Sequence, residues 1–136
     1  MSFATDVLVR FAHIDAAGIV FYPRYFEMLN GAVEDWFAAM GHDFASMHLG
    51  RHIGVPTVKL EAEFVAPSLL GDQLTIAITP QRVGRSSCPI DFVVTCDGEV
   101  RLRASAVLVC MDLKAKKSMP WPEALLEQLN GYCATV

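Results

Sequence analysis

The sequence predicts an α+β domain in which a long helix lies against a mainly antiparallel sheet. Three observations carry this. Tyr22–Met40 has apolar residues recurring every three and four positions, the period of a helix with one buried face. A short β-branched run precedes it, and four runs of strand character follow, separated by turn residues. A polar loop and a short second helix close the chain. The 136 residues suffice for one domain with its own core.

Each element has a local reason. Thr5–Phe11 is the first strand, bounded by a loop at residues 12–21. Pro23 suits the first position of the long helix, where a missing N–H costs nothing. Phe26, Leu29, Val33, Phe37 and Met40 share one face, which Trp36 widens, while Glu27, Asn30, Gly31 and Glu34 lie elsewhere. Gly41 is the expected stop. At 1.5 Å per residue this helix is about 28 Å long, enough to cross a small sheet. His42–Gly54 reads as a short irregular helix and a loop.

Thr57–Val65 alternates, with Val58, Leu60, Ala62 and Phe64 on one side and Lys59, Glu61 and Glu63 on the other, which predicts a half-buried strand. Pro67 and Gly71-Asp72 mark a turn before Gln73–Thr79, where Leu74, Ile76 and Ile78 alternate. Pro80–Ser87 is polar. Pro89–Cys96 and Glu99–Asp112 are joined by the turn Asp97-Gly98. The last run is apolar on both faces, so it is expected inside the sheet with both faces covered. Pro122 opens the second helix, with Leu125, Leu126 and Leu129 as its apolar side and Glu123 suiting its dipole. One layer of sheet on one helix leaves a face open, which a partner subunit or the C-terminal helix must cover.

Composition bounds the function. Apolar residues make up 53% of the chain and the mean hydropathy is +0.35, which an oligomer would explain by hiding apolar surface. A net charge of -4, with 11 Lys and Arg and no basic stripe, argues against nucleic acid as a partner. Cys88, Cys96, Cys110 and Cys133 form no CxxC pair and no zinc spacing, so they are expected to be reduced. No signal peptide and no membrane-length apolar run is read, and the expected compartment is the cytoplasm.

The chemistry concentrates before the long helix. Asp15 stands seven residues ahead of Tyr22, too far to be the ordinary cap, although it suits an Asx-turn. Gly18 permits a backbone conformation that other residues avoid. The first N–H groups of a helix lack intrahelical partners, so those of Tyr22, Arg24 and Tyr25 are free to polarise a carbonyl. A carboxylate beside such donors suits acyl transfer, with aspartate as nucleophile or as general base.

The residues Phe11, His13, Asp15, Gly18, Ile19, Val20, Phe21, Tyr22, Pro23 and Tyr25, followed by Phe64, Pro67, Gly71-Asp72 and Leu74, resemble the 4-hydroxybenzoyl-CoA thioesterase family of hotdog-fold enzymes. The resemblance implies a five-stranded antiparallel sheet wrapped around the central helix. It implies a homodimer joined edge to edge, often doubled to a homotetramer, with the active site at the subunit interface. Asp15 matches the catalytic aspartate and the Tyr22 N–H the donor to the thioester carbonyl. The substrate is expected to be an aromatic or short- to medium-chain acyl-CoA, without metal or other cofactor. Gly18 and Tyr25 are substrate-side candidates within the matched stretch. Arg82 and Arg85 are candidates for the CoA phosphates, and Ser86 and Ser87 for the pantetheine channel; the bland reading is a solvated hairpin. His13 departs from the usual acidic or polar residue and either touches substrate or is hydrogen-bonded within the loop. The rival functions are a non-catalytic acyl-CoA or acyl-carrier-protein binding module and, without its histidine-centred motif, a dehydratase.

Overall fold

The structure, a computed structural model, describes residues 2–133. Strand β1 (Phe3–Leu8) leads through a 3-10 turn at Phe11–His13 into helix α1 (Tyr22–Ala39). A π-helical turn (Ser46–Gly50) and a two-residue strand β2 (Ile53–Gly54) follow. Then come β3 (Thr57–Phe64), β4 (Gln73–Pro80), β5 (Ser87–Cys96) and β6 (Glu99–Val109). Short strands β7 (Met111–Asp112) and β8 (Lys117–Ser118) precede helix α2 (Glu123–Tyr132). The main sheet has five strands in the order β1-β4-β5-β6-β3, all antiparallel, and β2, β7 and β8 form a second small sheet. A central helix against such a sheet is the hotdog fold.

Period two decides which side of the sheet is core. Leu74, Ile76 and Ile78 of β4, Ile90, Phe92 and Val94 of β5, and Leu102 and Leu108 of β6 are all buried. Their register partners, such as Ile76 with Val94 and Phe92 with Ala104, stack into one apolar floor. Helix α1 buries Tyr25, Met28, Leu29, Ala32, Val33, Trp36 and Phe37 on it. The buried stripe is therefore turned from the predicted one toward Met28 and Ala32, and Phe26 lies at its margin, 6.3 Å from the Phe64 ring. Pro23 is the second residue of α1 rather than the first, where an N–H is equally unneeded. Met40 closes the helix and Gly41 leaves it at φ +87°, the left-handed geometry expected of a glycine stop.

Four predictions are corrected. The first strand starts two residues and ends three residues earlier than read, because Arg10 begins the 3-10 turn. Strand β3 is exposed along its whole length rather than half-buried. It lies at the sheet edge and, among the described residues, pairs only with β6 and has no helix over most of its apolar row. Strand β6 is interior, as read, but alternates buried and half-buried residues, so one face only is covered within the chain. Helix α2 does not cover the outer face: Leu125 and Leu129 are buried in the same core as α1, and Tyr132 packs edge-on against Trp36 at 5.7 Å.

Cys88, Cys96 and Cys110 are buried and Cys133 half-buried, all as free thiols. Burial pushes Cys88 up to about 12 and Cys110 to about 11, so neither is a thiolate at neutral pH. No helix among the described residues is long and apolar enough to cross a membrane.

Candidate active site

The loop before α1 is folded by its own backbone. The Gly18 N–H donates to the Asp15 carbonyl and the Asp15 N–H to the Ile19 carbonyl, both at 3.0 Å. Gly18 takes φ +80°, a conformation that a side chain would strain. Asp15 Oδ1 accepts the Ala17 N–H at 2.8 Å, the Asx-turn that the sequence suggested. Its Oδ2 has no hydrogen-bond donor among the described residues, and Asp15 is exposed. The carboxylate is thus held by one oxygen and offered by the other.

Three contacts tie this loop to the turn at residues 67–72. Ile19 bridges Leu69, the Val20 N–H donates to the Ser68 carbonyl at 2.9 Å, and the Leu70 N–H reaches the Gly18 carbonyl at 3.4 Å. The Phe21 N–H returns to the His13 carbonyl at 2.9 Å, which sets the angle at which α1 starts. Of the predicted helix-end donors, Arg24 N–H is spent on the Phe21 carbonyl at 2.8 Å. The Tyr22 N–H has no acceptor among the described residues. Asp15 and Tyr22 border one cleft of about 440 Å³, walled by Phe21, Tyr25, Phe64 and Ser68.

Beneath the cleft lies a polar network that sequence reading missed. The buried Tyr25 hydroxyl donates to Ser68 Oγ at 2.7 Å. Arg101 Nη1 holds the Pro67 carbonyl at 3.0 Å and Asp72 Oδ2 at 2.7 Å. Its Nε lies 2.6 Å from Glu99 Oε1 without pointing at it, so that contact is charge pairing rather than an aligned hydrogen bond. The Leu69 N–H and then Arg101 hold the Asp72 carboxyl below its usual range. Burial raises the Tyr25 hydroxyl above its usual value, against the pull of Ser68 and Arg101. Tyr25 is therefore a neutral donor that stiffens the cleft and not a base. Gly71-Asp72 was legible as a turn, but nothing in the sequence brings Arg101 to it from a distant strand.

Residues 9–129 match the thioesterase-like superfamily. The chain belongs to this family. It is a thioester hydrolase of the hotdog fold, as the resemblance at Phe11–Pro23 implied. A relative, the 1,4-dihydroxy-2-naphthoyl-CoA hydrolase of Nostoc punctiforme, is 27% identical over 96% of this chain and 88% of its own length. The long-chain acyl-CoA thioesterase FadM of Escherichia coli is 29% identical over 93% of this chain and 96% of its own. The crystal structure of Slr0204, a 1,4-dihydroxy-2-naphthoyl-CoA thioesterase from Synechocystis, superposes with a TM-score of 0.87 at 22% identity, covering 96% of each chain.

The other predicted residues of this thioesterase lie outside the cleft. His13 faces the opposite flank of α1, in a hollow with Val7, Glu27, Met28 and Asp35. Its Nδ1 accepts the Arg10 N–H at 2.9 Å, so the loop-bonded reading of His13 describes its place. Gly18 shapes the loop and does not line the cleft. Arg82, Arg85, Ser86 and Ser87 occupy the β4–β5 connection and the start of β5. The Arg85 carbonyl accepts the Trp121 N–H at 3.0 Å, and Trp121 packs on Phe37, in the last turn of α1. Tyr22 and Phe37 are about 22 Å apart along the helix axis, so one chain does not bring these four residues to Asp15. Among the described residues, no group of three or more His, Cys, Asp and Glu is placed to hold a metal ion.

Proposed function

We propose that this thioesterase hydrolyses an acyl-CoA to a carboxylic acid and CoA, with Asp15 and the Tyr22 N–H as the reacting pair. The observation that carries the reading is their meeting in one cleft, with Asp15 Oδ2 and the Tyr22 N–H both free of partners among the described residues. The thioester carbonyl oxygen accepts the Tyr22 N–H at the positive end of α1, where developing negative charge is stabilised. Asp15 then either attacks the carbonyl carbon, expelling CoA thiolate and leaving an anhydride that water cleaves, or takes a proton from the attacking water. Rapid quenching of a single turnover separates these routes, since only the first leaves an acylated chain.

An aromatic acyl group is the preferred substrate class. The cleft wall of Phe21, Tyr22 and Phe64 offers ring edges and faces, and the Nostoc relative acts on a naphthoyl-CoA. FadM supports a long alkyl chain instead. A panel of aroyl- and alkanoyl-CoAs, read by release of free thiol, decides between them. Turnover by Asp15→Asn equal to wild type would overturn the mechanism, and binding without thiol release would favour the non-catalytic module.

Two copies pair through β3, making the single-domain chain a homodimer. Val58 is 61%, Leu60 41% and Phe64 49% exposed along this edge, an apolar row that a second β3 would cover. Antiparallel pairing about a two-fold axis sets the Phe64 end of one copy against the Thr57 end of the other. Thr57 pairs with Leu108 and Ser87 with Val109, so the partner's β4–β5 connection approaches the cleft. Arg82 and Arg85 from that copy would meet the CoA phosphates, and Ser86 and Ser87 the pantetheine arm.

A further inference from the structure

Ser68 carries a proton that the folded chain does not use. No other Ser, Thr, Asn, Gln, His or charged residue among those described is buried, yet Ser68 is 1% exposed and borders the Asp15 cleft. Burying a hydroxyl costs free energy unless its hydrogen bonds are made. Its oxygen has two lone pairs and one proton. Tyr25 Oη donates to Ser68 Oγ at 2.7 Å, and Arg101 Nη1, which can only donate, lies 3.4 Å from it. The phenol is the more acidic of the two hydroxyls and so the donor of the pair, and burial keeps the Tyr25 proton in place. Both lone pairs of Ser68 Oγ are thus engaged, while its own O–H has no acceptor among the described residues.

The backbone turns the Tyr22 N–H toward the same place. The Leu70 and Val20 N–H groups, donating to the Gly18 and Ser68 carbonyls, are rungs of a short antiparallel ladder. It ends at Ser68: neither the Ser68 N–H nor the Tyr22 N–H finds an acceptor among the described residues. Along extended backbone successive N–H groups point to opposite sides. Val20 donates toward Ser68, and Phe21, at φ -69° and ψ 125°, donates the other way to His13. The Tyr22 N–H therefore returns to the Ser68 side. The two stretches part there, and the cleft lies between them with Asp15 on its border.

Resting on the thioesterase reading above, we propose that the Ser68 hydroxyl is a second donor to the thioester carbonyl oxygen, beside the Tyr22 N–H. Ser68 is then a catalytic residue, and Tyr25 and Arg101 are positioning residues that act through it. When a nucleophile adds to the carbonyl carbon, the C=O π pair moves onto oxygen, and it returns as CoA thiolate leaves. Ser68 keeps its proton throughout. Two donors fixed before the reaction stabilise that oxyanion without having to reorganise.

The test is thiol release from benzoyl-CoA, with the folding of each variant checked by urea denaturation. Ser68→Ala lowers kcat about a hundredfold, the scale of one oxyanion donor, and leaves KM within about twofold. Tyr25→Phe breaks the same Tyr25–Ser68 bond but keeps the Ser68 hydroxyl, and lowers kcat less than about fivefold. Equal losses in the two variants make the bond merely structural and overturn the proposal. S-benzyl-CoA, a thioether without the carbonyl, binds Ser68→Ala and wild type equally by titration calorimetry. Weaker binding to Ser68→Ala shows a disturbed cleft and overturns the proposal as well. With hydroxylamine as the nucleophile in place of water, Ser68→Ala slows thiol release by the same factor. Slowing of hydrolysis alone assigns Ser68 to the attacking water and overturns its assignment to the carbonyl. Wild-type turnover by Ser68→Ala, with Asp15→Asn inactive, ends this assignment and leaves the thioesterase reading standing. Wild-type turnover by Asp15→Asn overturns that reading, and the role of Ser68 with it.

Discussion

Strands β1 and β3 are the two edges of one sheet, and they are finished differently. β1 is tied down on both faces: Thr5 Oγ1 donates to Asp35 Oδ2 of α1 at 3.1 Å, and Asp6 Oδ1 accepts from Thr75 Oγ1 of β4 at 2.9 Å. Phe3 and Val7 pack against the core. Among the described residues β3 meets α1 only at its Phe64 end, against the rings of Tyr22, Tyr25 and Phe26. Its outer row is Lys59, Glu61 and Glu63, its inner row is apolar, and all its residues are exposed. Natural edges are blunted unless something pairs with them. The contrast supports β3 as the edge of the proposed dimer, and the Asp15 cleft, walled by Phe64, lies at one end of it.

Four substitutions, with Leu8→Lys as a control, probe this contrast and the cleft beside it, in order of expected effect. Asp15→Asn lowers kcat/KM about a thousandfold in a thiol-release assay, the scale of losing a positioned base or nucleophile. Leu60→Lys places two like charges close to the proposed two-fold axis, where such juxtaposition costs several kcal/mol. The dimer should weaken at least about a hundredfold by sedimentation velocity, with activity falling alongside. Leu8→Lys, at a position 42% exposed on β1, should leave both unchanged; equal behaviour of the two edges would end the distinction between them.

Asp72→Asn tests stiffness within the cleft rather than assembly. Removing the charged partner of Arg101 and of the Leu69 N–H costs about 2 kcal/mol at neutral pH. The folded pKa of Asp72 is depressed, so its stabilisation is complete above the unfolded value of about 3.9 and is lost as pH falls through the folded value. Urea denaturation should therefore find the gap between wild type and variant closing below about pH 4. Tyr25→Phe removes the hydrogen bond to Ser68 and costs about 1 kcal/mol, the smallest effect of the four, without altering the sedimentation coefficient.

The loop and helix start were the most legible part. Asp15, Gly18 and Tyr22 lie within eight consecutive positions, and turn chemistry, glycine freedom and unpaired helix donors are local properties. The strand runs were readable for the same reason, since period two survives in sequence. The Tyr25–Ser68 and Arg101–Asp72 pairs were not, because they join residues 43 and 29 positions apart. Nor was the distance of Arg82 and Arg85 from Asp15 within one chain. The sequence also misjudged β3: alternation reports which side of a strand is apolar, not whether anything lies over it.

The chain's periodicity and turn residues alone establish an α+β domain with a long central helix and a carboxylate ahead of the helix donors. These depend on neighbours along the chain. Tertiary structure decides that β3 is the open edge, that Arg101 braces the cleft floor, and that Arg85 lies far from Asp15 within one chain. Those facts come from strand order and antiparallel register, which bring distant residues together without leaving a mark in local sequence.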